Sequence, residues 1–269
     1  MLEGRASWDD VPAALAAERD FLARFVAEQA VQTNEVQRCW ALLPCFLTIA
    51  RERGAPVFDL VELGPSAGLN LVWDRYRYEY DAGWWGFGGA PLTLSGEELT
   101  PVPGDLLTRE LAVRRRTGID LAPVDVTGED GARLLESFVW PDQDDRRRRL
   151  RAAIEALRED PPELVAGDYV ELLPAVLAQR DPGALTVVYE IASRGYLTAE
   201  RRGELHEVLD AAGREAPLAW LRAGSAEREL RGPRGEMHGY SLKLTLWPGG
   251  ETRTLAHCDY HAHWLEWDA

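Results

Sequence analysis

The most constraining stretch of the chain is residues 57–70, VFDLVELGPSAGLN. Its apolar run carries the acid Glu62 near its end, breaks into small residues between Gly64 and Gly68, and then resumes with helical spacing. This order predicts a β-strand over residues 57–63, a tight loop and a helix. A strand that turns into a helix in this way brings backbone N–H groups against a bound ligand, so the stretch predicts an α/β fold with a binding loop.

The remaining apolar runs alternate with helical patterns along most of the chain. Predicted strands cover residues 119–125, 164–168, 185–190, 217–222, 240–247 and 251–258. Predicted helices cover residues 103–116, 129–137, 143–159, 169–180 and 199–213. Such alternation predicts an α/β, three-layer, Rossmann-like parallel sheet, preceded by two N-terminal helices and closed by an antiparallel hairpin. We expect one domain over residues 1–269, with a helical cap over residues 1–55 and a β-hairpin insertion over residues 76–96.

The loop also spells G-x-S-x-G, which is the nucleophile elbow of serine hydrolases. In that interpretation Ser66 is the nucleophile, and His257, His261 or His263 supplies the base. An α/β-hydrolase places several strands before its elbow, whereas only helices are predicted before residue 57. The hydrolase is therefore the weaker interpretation.

Composition excludes several classes of partner. The chain has 269 residues and a formal net charge of −15, which argues against general binding to nucleic acid or to anionic membranes. Three cysteines without paired spacing indicate a reducing compartment, and we expect a cytoplasmic protein without a membrane span that acts on a small molecule. His257, Asp259, His261 and His263 would share a face of a strand, but their spacing differs from that of structural zinc sites, so we expect no metal.

Several motifs together resemble the bacterial domain of unknown function family 2332. They are QTNEV at residues 32–36, residues 60–70, WDRYRY at residues 73–78, WPDQ at residues 140–143, and His261 with WLEW at residues 264–267. The resemblance implies a Rossmann-like core similar to that of class I S-adenosylmethionine-dependent methyltransferases. The family's activity is unassigned, so the resemblance implies little chemistry.

Likeness to those methyltransferases implies roles for the loop and for acids at strand ends. The loop residues expected to contact the cofactor are Glu62, Gly64, Ser66, Gly68 and Asn70. Asp125, with Asp120 as the second choice, is expected to hold the ribose hydroxyls, and Asp168 is expected to lie near the adenine. Glu190 ends the fourth strand, where a catalytic base is expected.

Polar and aromatic residues beside predicted turns are the candidates for binding the substrate. They are Asn34, Arg38, Asp74, Arg75 and Trp140. For the segment before the second helix two interpretations stay open. Thr33 or Asn34 caps the helix, or Asn34 and Arg38 close the pocket.

Two functions are therefore expected. The first is an S-adenosylmethionine-dependent methyltransferase acting on a small molecule, which the acids at the strand ends favour. The second is a Rossmann-like ligand-binding protein without transferase chemistry. Ser66 favours the second because it stands where the methyltransferase loop usually has its central glycine.

Overall fold

The computed structural model describes residues 7–29, 31–32, 34–226, 228–235 and 237–268. Its α-helices are α1 (Val11–Ala17), α2 (Arg19–Glu28), α3 (Arg38–Arg53), α4 (Glu129–Ser137), α5 (Asp144–Glu159), α6 (Tyr169–Leu177) and α7 (Ala199–Glu215). Short 3₁₀ helices cover Trp8–Asp10, Leu69–Arg75 and Ser193–Tyr196. The strands are β1 (Val57–Leu63), β2 (Arg77–Tyr80), β3 (Gly83–Gly86), β4 (Thr93–Ser95), β5 (Glu97–Thr100), β6 (Ala112–Asp120), β7 (Glu163–Ala166), β8 (Leu185–Glu190), β9 (Leu218–Ser225), β10 (Tyr240–Trp247), β11 (Glu251–Cys258) and β12 (Trp264–Trp267).

Nine strands form one sheet in the order β5-β12-β11-β10-β9-β8-β1-β6-β7. The five strands from β9 to β7 run parallel, and β10 pairs antiparallel with β9. After β1 the chain adds β6 and β7 on one side of β1, and it then crosses to add β8 on the other side. The predicted Rossmann-like α/β sheet is confirmed, as is its C-terminal hairpin, β10–β11. Beyond the hairpin, β12 and β5 form the edge of the sheet.

The sheet separates two apolar cores because alternate side chains of each strand face opposite layers. The larger core contains buried residues of α3, α5 and the β1 side chains Phe58 and Leu60. The smaller core joins α6 and α7 to Val188 and Trp220. None of the helices in the described ranges combines the length and the apolar character needed to span a bilayer.

The predicted helix over residues 103–116 is wrong, because β6 occupies Ala112–Asp120. Ion pairs with other elements accompany the extended conformation of its three consecutive arginines. Arg114 pairs with Asp59 of β1, and Arg116 pairs with Asp74 at 2.6 Å. The second parallel strand therefore ends five residues earlier than predicted, at Asp120 rather than at Asp125.

The insertion after β1 is a three-stranded sheet in the order β3-β2-β4 instead of a simple hairpin. Within it, Gly83–Gly86 forms β3, which pairs antiparallel with β2. β4 then pairs with β2 in parallel. Trp85 of β3 is buried against Trp73, with ring centroids 5.6 Å apart, so the insertion packs on the larger core.

The N-terminal segment divides into an exposed part and a buried part. α1 and α2 contain no buried residue, whereas α3 is buried from Arg38 to Ala50. The second predicted N-terminal helix therefore begins at Arg38 after Gln37, later than Asn34; Thr33, the other predicted cap, lies outside the described residues. Gly54 ends α3 with φ +58°, a conformation that favours glycine.

Candidate functional site

A cleft of about 510 Å³ opens at the carboxyl ends of β1, β6 and β8. β1 lies between the other two strands, which makes this edge the switch point of the sheet, where ligands of open α/β sheets bind. A larger groove of about 640 Å³ is lined by residues at the amino ends of β1 and β8. We assign the site to the smaller cleft because buried polar groups and strained backbone meet there.

The loop after β1 forms one wall of the cleft and is held at Ser66 by two hydrogen bonds. The backbone N–H of Ser66 donates to Oδ2 of Asp120 at 2.8 Å, and the Asn34 amide donates to Oγ of Ser66 at 2.6 Å. Ser66 has φ +56°, an uncommon conformation for a residue other than glycine. Strain of this kind clusters at functional sites and persists only where neighbouring contacts enforce it.

Gly64 is required by the fold of the loop itself. Its φ is +75°, and a Cβ added there would lie 2.4 Å from Cβ of Ser193, in the turn after β8. The space that a side chain at Gly64 would need is therefore occupied by Ser193. Gly68 lies outside the cleft lining, and a Cβ there would meet Pro162 at 2.8 Å. Gly68 thus serves packing against the segment before β7, which corrects the expectation that it contacts the cofactor.

Asp120, the second choice from the sequence, takes the position predicted for Asp125. Asp120 ends β6 and lines the cleft, where its carboxylate accepts from the N–H groups of Ser66 and Ala122. Asp125 lies five residues beyond the strand and is exposed; its carboxylate accepts from the backbone and hydroxyl of Thr127. Because β6 ends early, the ribose-binding acid expected at Asp125 is excluded from this cleft.

Glu62 lines the cleft on the face of the sheet that carries α3. Tyr189 donates its hydroxyl to Oε2 of Glu62 at 3.2 Å, and the Asn70 amide lies 3.5 Å from Oε1. Burial raises the pKa of Glu62 to about 8, against the lowering effect of these two hydrogen bonds. A carboxyl group with this pKa is largely protonated at neutral pH and offers a hydrogen-bond donor to the cleft.

Glu190 ends β8 with no exposed surface; the turn that follows it, residues 191–193, lines the cleft, whereas Glu190 itself does not. Its Oε2 accepts from the N–H of Ala192 at 3.4 Å, while its Oε1 has no hydrogen-bond partner among the described residues. Ala192 is strained, with φ +129°. Burial raises the pKa of Glu190 to about 7; the N–H of Ala192 and the guanidinium groups of Arg194 and Arg222 oppose this rise. A pKa near 7 leaves this buried carboxyl group partly protonated at neutral pH, and its catalytic role stays a prediction.

The remaining walls of the cleft come from the segment before α3 and from α6. Arg38 donates from Nε to the carbonyl of Tyr260 at 2.9 Å and from Nη1 to the carbonyl of Ile191 at 3.2 Å. Asp168 caps α6 by accepting from the N–H of Val170 at 2.8 Å, and it also pairs with Arg201. Asn34, Arg38 and Asp168 thus all line the cleft, and their proposed roles toward a ligand stay predictions.

A family model described as an uncharacterized protein conserved in bacteria (DUF2332) matches residues 2–267. The chain belongs to this family. No curated protein matches it. A crystal structure of an S-adenosylmethionine-dependent methyltransferase from Clostridium acetobutylicum is similar at 9% identity, with a TM-score of 0.28, over 88% of this chain and 78% of that one. A score this low carries no argument, so the fold assignment rests on the strand order alone.

Three of the predicted substrate residues of this DUF2332 chain lie away from the cleft. Asp74 pairs with Arg116, and Arg75 pairs with Asp160 at 2.9 Å, so both belong to an ion-pair network between β6 and the segment before β7. Trp140 is 70% exposed in the turn before α5. None of the three lines the cleft.

The histidines do not form the base that a hydrolase requires. The hydroxyl of Ser66 contacts the Asn34 amide, which cannot accept its proton. His257 instead contacts the buried hydroxyl of Ser241 through Nδ1 at 2.9 Å. Its Nε2 lies 2.9 Å from the carboxylate of Asp268. The geometry therefore gives the hydrolase interpretation no support.

The predicted convergence of His257, Asp259, His261 and His263 on one strand is also corrected. β11 ends at Cys258, so the four residues do not share a strand. His257 pairs with Asp268, whereas in the turn after β11 His263 pairs with Asp259 at 3.0 Å and its ring centroid lies 5.8 Å from that of His261. In the part of the chain that the structure describes, no group of three potential ligands is placed to hold a metal ion.

Several cleft residues were missed by the sequence analysis. Tyr169, Ser193, Tyr196 and Tyr240 all line the cleft. Tyr169 directly follows Asp168 after a predicted strand, and that position was a usable signal. Tyr240 begins the C-terminal hairpin, and only the folding of β10 beside β9 brings it to the site.

Proposed function

We propose that the chain is an S-adenosylmethionine-dependent methyltransferase that acts on a small organic molecule. The observation that carries the proposal is the cleft at the switch point of the sheet, with an acid at the end of each flanking strand. Asp120 ends β6 and Glu190 ends β8, on either side of the loop after β1. Ligands of open α/β sheets bind at this edge.

The lining residues carry the types of polar group that would bind the parts of this cofactor. Asp120 and Glu62 are groups that pair with sugar hydroxyls and with an amino group. Arg38 and Asn34 are donors suited to the carboxylate of the methionine part. When bound, S-adenosylmethionine supplies a methyl group activated by a positively charged sulfur.

The chain itself would contribute alignment and a proton acceptor. Methyl transfer requires the acceptor atom to lie in line with the methyl group, which a narrow cleft between α6 and the loop after β1 favours. Glu190, with a pKa of about 7, would take the proton from the acceptor. We also propose a cytoplasmic location and a small-molecule partner, as the acidic composition and unpaired cysteines suggested.

The proposal is tested by calorimetric titration with S-adenosylmethionine and S-adenosylhomocysteine. We expect both to bind, and Asp120→Asn to weaken binding by at least about tenfold, because the exchange removes one acceptor at the end of β6. Asp125→Asn is the matched control and should leave affinity unchanged, since Asp125 lies outside the cleft. Absence of binding by the unmodified protein at millimolar ligand would overturn the proposal. Binding without methylation of any acceptor would favour the non-catalytic ligand-binding alternative.

A further inference from the structure

Exposed apolar side chains are concentrated at the mouth of the cleft. Among the described residues, four large apolar or aromatic side chains are at least 77% exposed, and three of them line the cleft. These three, Val31, Leu121 and Tyr196, form what we call the apolar mouth; the fourth is Val26 of α2. A single exposed apolar residue needs no explanation, whereas a group of them around one concave site marks a binding surface.

The members of the apolar mouth come from segments that are far apart in the chain. Val31 precedes α3, Leu121 follows Asp120 at the end of β6, and Tyr196 ends the 3₁₀ helix after β8. Because β6 and β8 flank β1, these segments meet only when the sheet forms. The apolar mouth therefore belongs to the switch point of the sheet, where ligands of open α/β sheets bind.

Hydrogen bonds fix the backbone that carries Leu121 and Val31. Oδ1 of Asp120 accepts from the N–H of Ala122 at 2.9 Å and so closes the turn that contains Leu121. Nε2 of Gln32 donates to the carbonyl of Ala122 at 3.4 Å, which joins the segment of Val31 to this turn. The two side chains are therefore exposed on backbone that the protein itself holds in place.

The backbone before Tyr196 is fixed by α7. Arg202 donates from Nε to the carbonyl of Arg194 and from Nη2 to the carbonyl of Gly195, each at 3.2 Å. Tyr196 follows directly, and its ring extends into solvent beside the cleft. A ligand that contacts a surface held in this way orders little of the protein on binding, and less free energy is lost.

The polar and apolar parts of the cleft lining lie at different depths. Glu62, Ser66 and Arg38 line the cleft and are buried, so the polar groups lie at its inner end. The apolar mouth carries no charge and lies at the outer end. A molecule that fills the cleft therefore meets polar groups first and apolar surface beyond them, which is the usual composition of a small-molecule site.

We propose that the apolar mouth binds the aromatic ring of an uncharged small molecule, which stacks on Tyr196 and contacts Leu121 and Val31. An aromatic ring pairs favourably with the ring of a tyrosine, and its contact with aliphatic side chains removes apolar surface from water. Treating this molecule as the methyl acceptor rests on the proposed function. Binding of the ring does not, because it is measured without the cofactor.

Ligand-observed NMR titration with benzyl alcohol, cyclohexylmethanol and benzoate tests the chemical class of the ligand. The three probes have similar size; the second lacks the aromatic ring and the third adds a charge. We expect benzyl alcohol to bind at least about threefold more tightly than cyclohexylmethanol, because only an aromatic ring stacks on Tyr196. Benzoate should bind most weakly, since the apolar mouth offers no partner for its charge. Cyclohexylmethanol or benzoate as the tightest probe would overturn the proposal.

Variants at exposed positions test where the ring binds. Tyr196→Ala should weaken benzyl alcohol binding at least about fivefold, whereas Tyr196→Phe, which keeps the ring, should change it less than about twofold. Leu121→Ser should weaken it about threefold, because it removes apolar contact area. Val26→Ser is the matched control: Val26 is as exposed as Leu121 but lies outside the cleft, so binding should be unchanged. Unchanged binding in Tyr196→Ala would contradict the proposal.

Contact with a second copy of the chain would cover the same side chains, and sedimentation velocity tests for it. We expect the unmodified protein, Leu121→Ser and Tyr196→Ala to have the same molecular mass in solution. If the unmodified protein is a dimer that both variants convert into a monomer, the apolar mouth is an interface between copies and the proposal is overturned.

Titration of the same samples with S-adenosylhomocysteine separates the two proposals. If the protein binds benzyl alcohol through Tyr196 but does not bind S-adenosylhomocysteine, the methyltransferase proposal fails and the aromatic site stands. If it binds S-adenosylhomocysteine but shows no preference for benzyl alcohol, the aromatic site fails and the methyltransferase proposal stands.

Discussion

Glu62 and Glu190 end neighbouring parallel strands but face opposite layers of the sheet. Glu62 shares its face with Phe58 and Leu60 of the larger core, and Glu190 shares its face with Val188 of the smaller core. This difference follows from the two-residue alternation of side chains along a strand. Glu62 therefore lines the cleft from the layer of the larger core, while Glu190 is buried on the side of the smaller core, below the accessible lining. One of them is fully hydrogen-bonded, and the other has a free oxygen.

Glu62 should make stability depend on pH. Its pKa is about 8 in the folded protein, raised from the 4.5 of an exposed glutamate. The folded state binds this proton more tightly than the unfolded state, so stability is highest below the unfolded pKa and falls as pH rises toward 8. We expect the free energy of unfolding, relative to that of Glu62→Gln, to fall by up to about 4 kcal/mol between pH 5 and pH 8. Urea denaturation at both pH values measures this difference.

Glu155→Gln is the control for that experiment, because Glu155 is exposed on α5. Its stability relative to the unmodified protein should change by less than about 0.5 kcal/mol over the same pH range. A pH-independent difference between the unmodified protein and Glu62→Gln would show that Glu62 is ionised in the folded state.

At the scale of elements, the loop after β1 is fixed by the turn after β8. Gly64 continues the ladder by donating its N–H to the carbonyl of Ile119 at 2.9 Å, and its α-carbon faces Ser193. Ser193 in turn donates its hydroxyl to the carbonyl of Leu63 at 2.6 Å. The two turns therefore lock together across the carboxyl edge, which places Ser66 and Ala192 in the same cleft.

Gly64→Ala should destabilise the protein far more than Gly54→Ala. Both glycines have positive φ, +75° and +58°, so each alanine carries a backbone penalty of about 1 kcal/mol. At Gly64 the new Cβ also lies 2.4 Å from Cβ of Ser193, whereas nothing lies within 4 Å of it at Gly54. We expect a loss of at least about 3 kcal/mol for Gly64→Ala and about 1 kcal/mol for Gly54→Ala, measured by urea denaturation. Equal losses would mean that the turn after β8 moves away without cost.

The elements also show where sequence patterns decide and where they do not. β1, β8, β10 and β11 have the predicted limits because their apolar runs are flanked by clear turn residues. The first seven residues of β6 were predicted as helix or left out of the predicted strand because its three arginines carry no apolar signal, and the ion pairs of Arg114 with Asp59 and of Arg116 with Asp74 exist only in the folded chain. Because the second strand was predicted to end at Asp125, the ribose-binding acid was expected at Asp125 rather than at Asp120.

At the scale of the whole molecule, the N-terminal arm (residues 7–29) differs from the rest of the chain. Neither α1 nor α2 contains a buried residue, although Leu15 and Phe21 are large apolar side chains, 53% and 54% exposed. α3, by contrast, contributes Trp40 and Phe46 to the larger core. Stability should therefore depend on α3 and not on the helices before it.

Deletion of residues 1–29 should shift the midpoint of thermal unfolding by less than about 3 °C, because residues 7–29 include no buried side chain. Deletion of residues 1–53 should abolish cooperative unfolding, because it also removes α3. Calorimetry of both truncated chains measures the difference. A loss of more than about 5 °C in the shorter deletion would show that the arm packs on the body in solution.

The sequence by itself determined the α/β class, the order of most elements and the loop after β1. These follow from local patterns: apolar periodicity, turn residues and strand-breaking prolines act over a few neighbouring positions. Tertiary structure alone decided that β6 begins at Ala112 and ends at Asp120, that Asp120 and not Asp125 lines the cleft, and that Tyr240 reaches the same cleft. Those outcomes depend on ion pairs and on strand neighbours far apart in the chain, which no local pattern records.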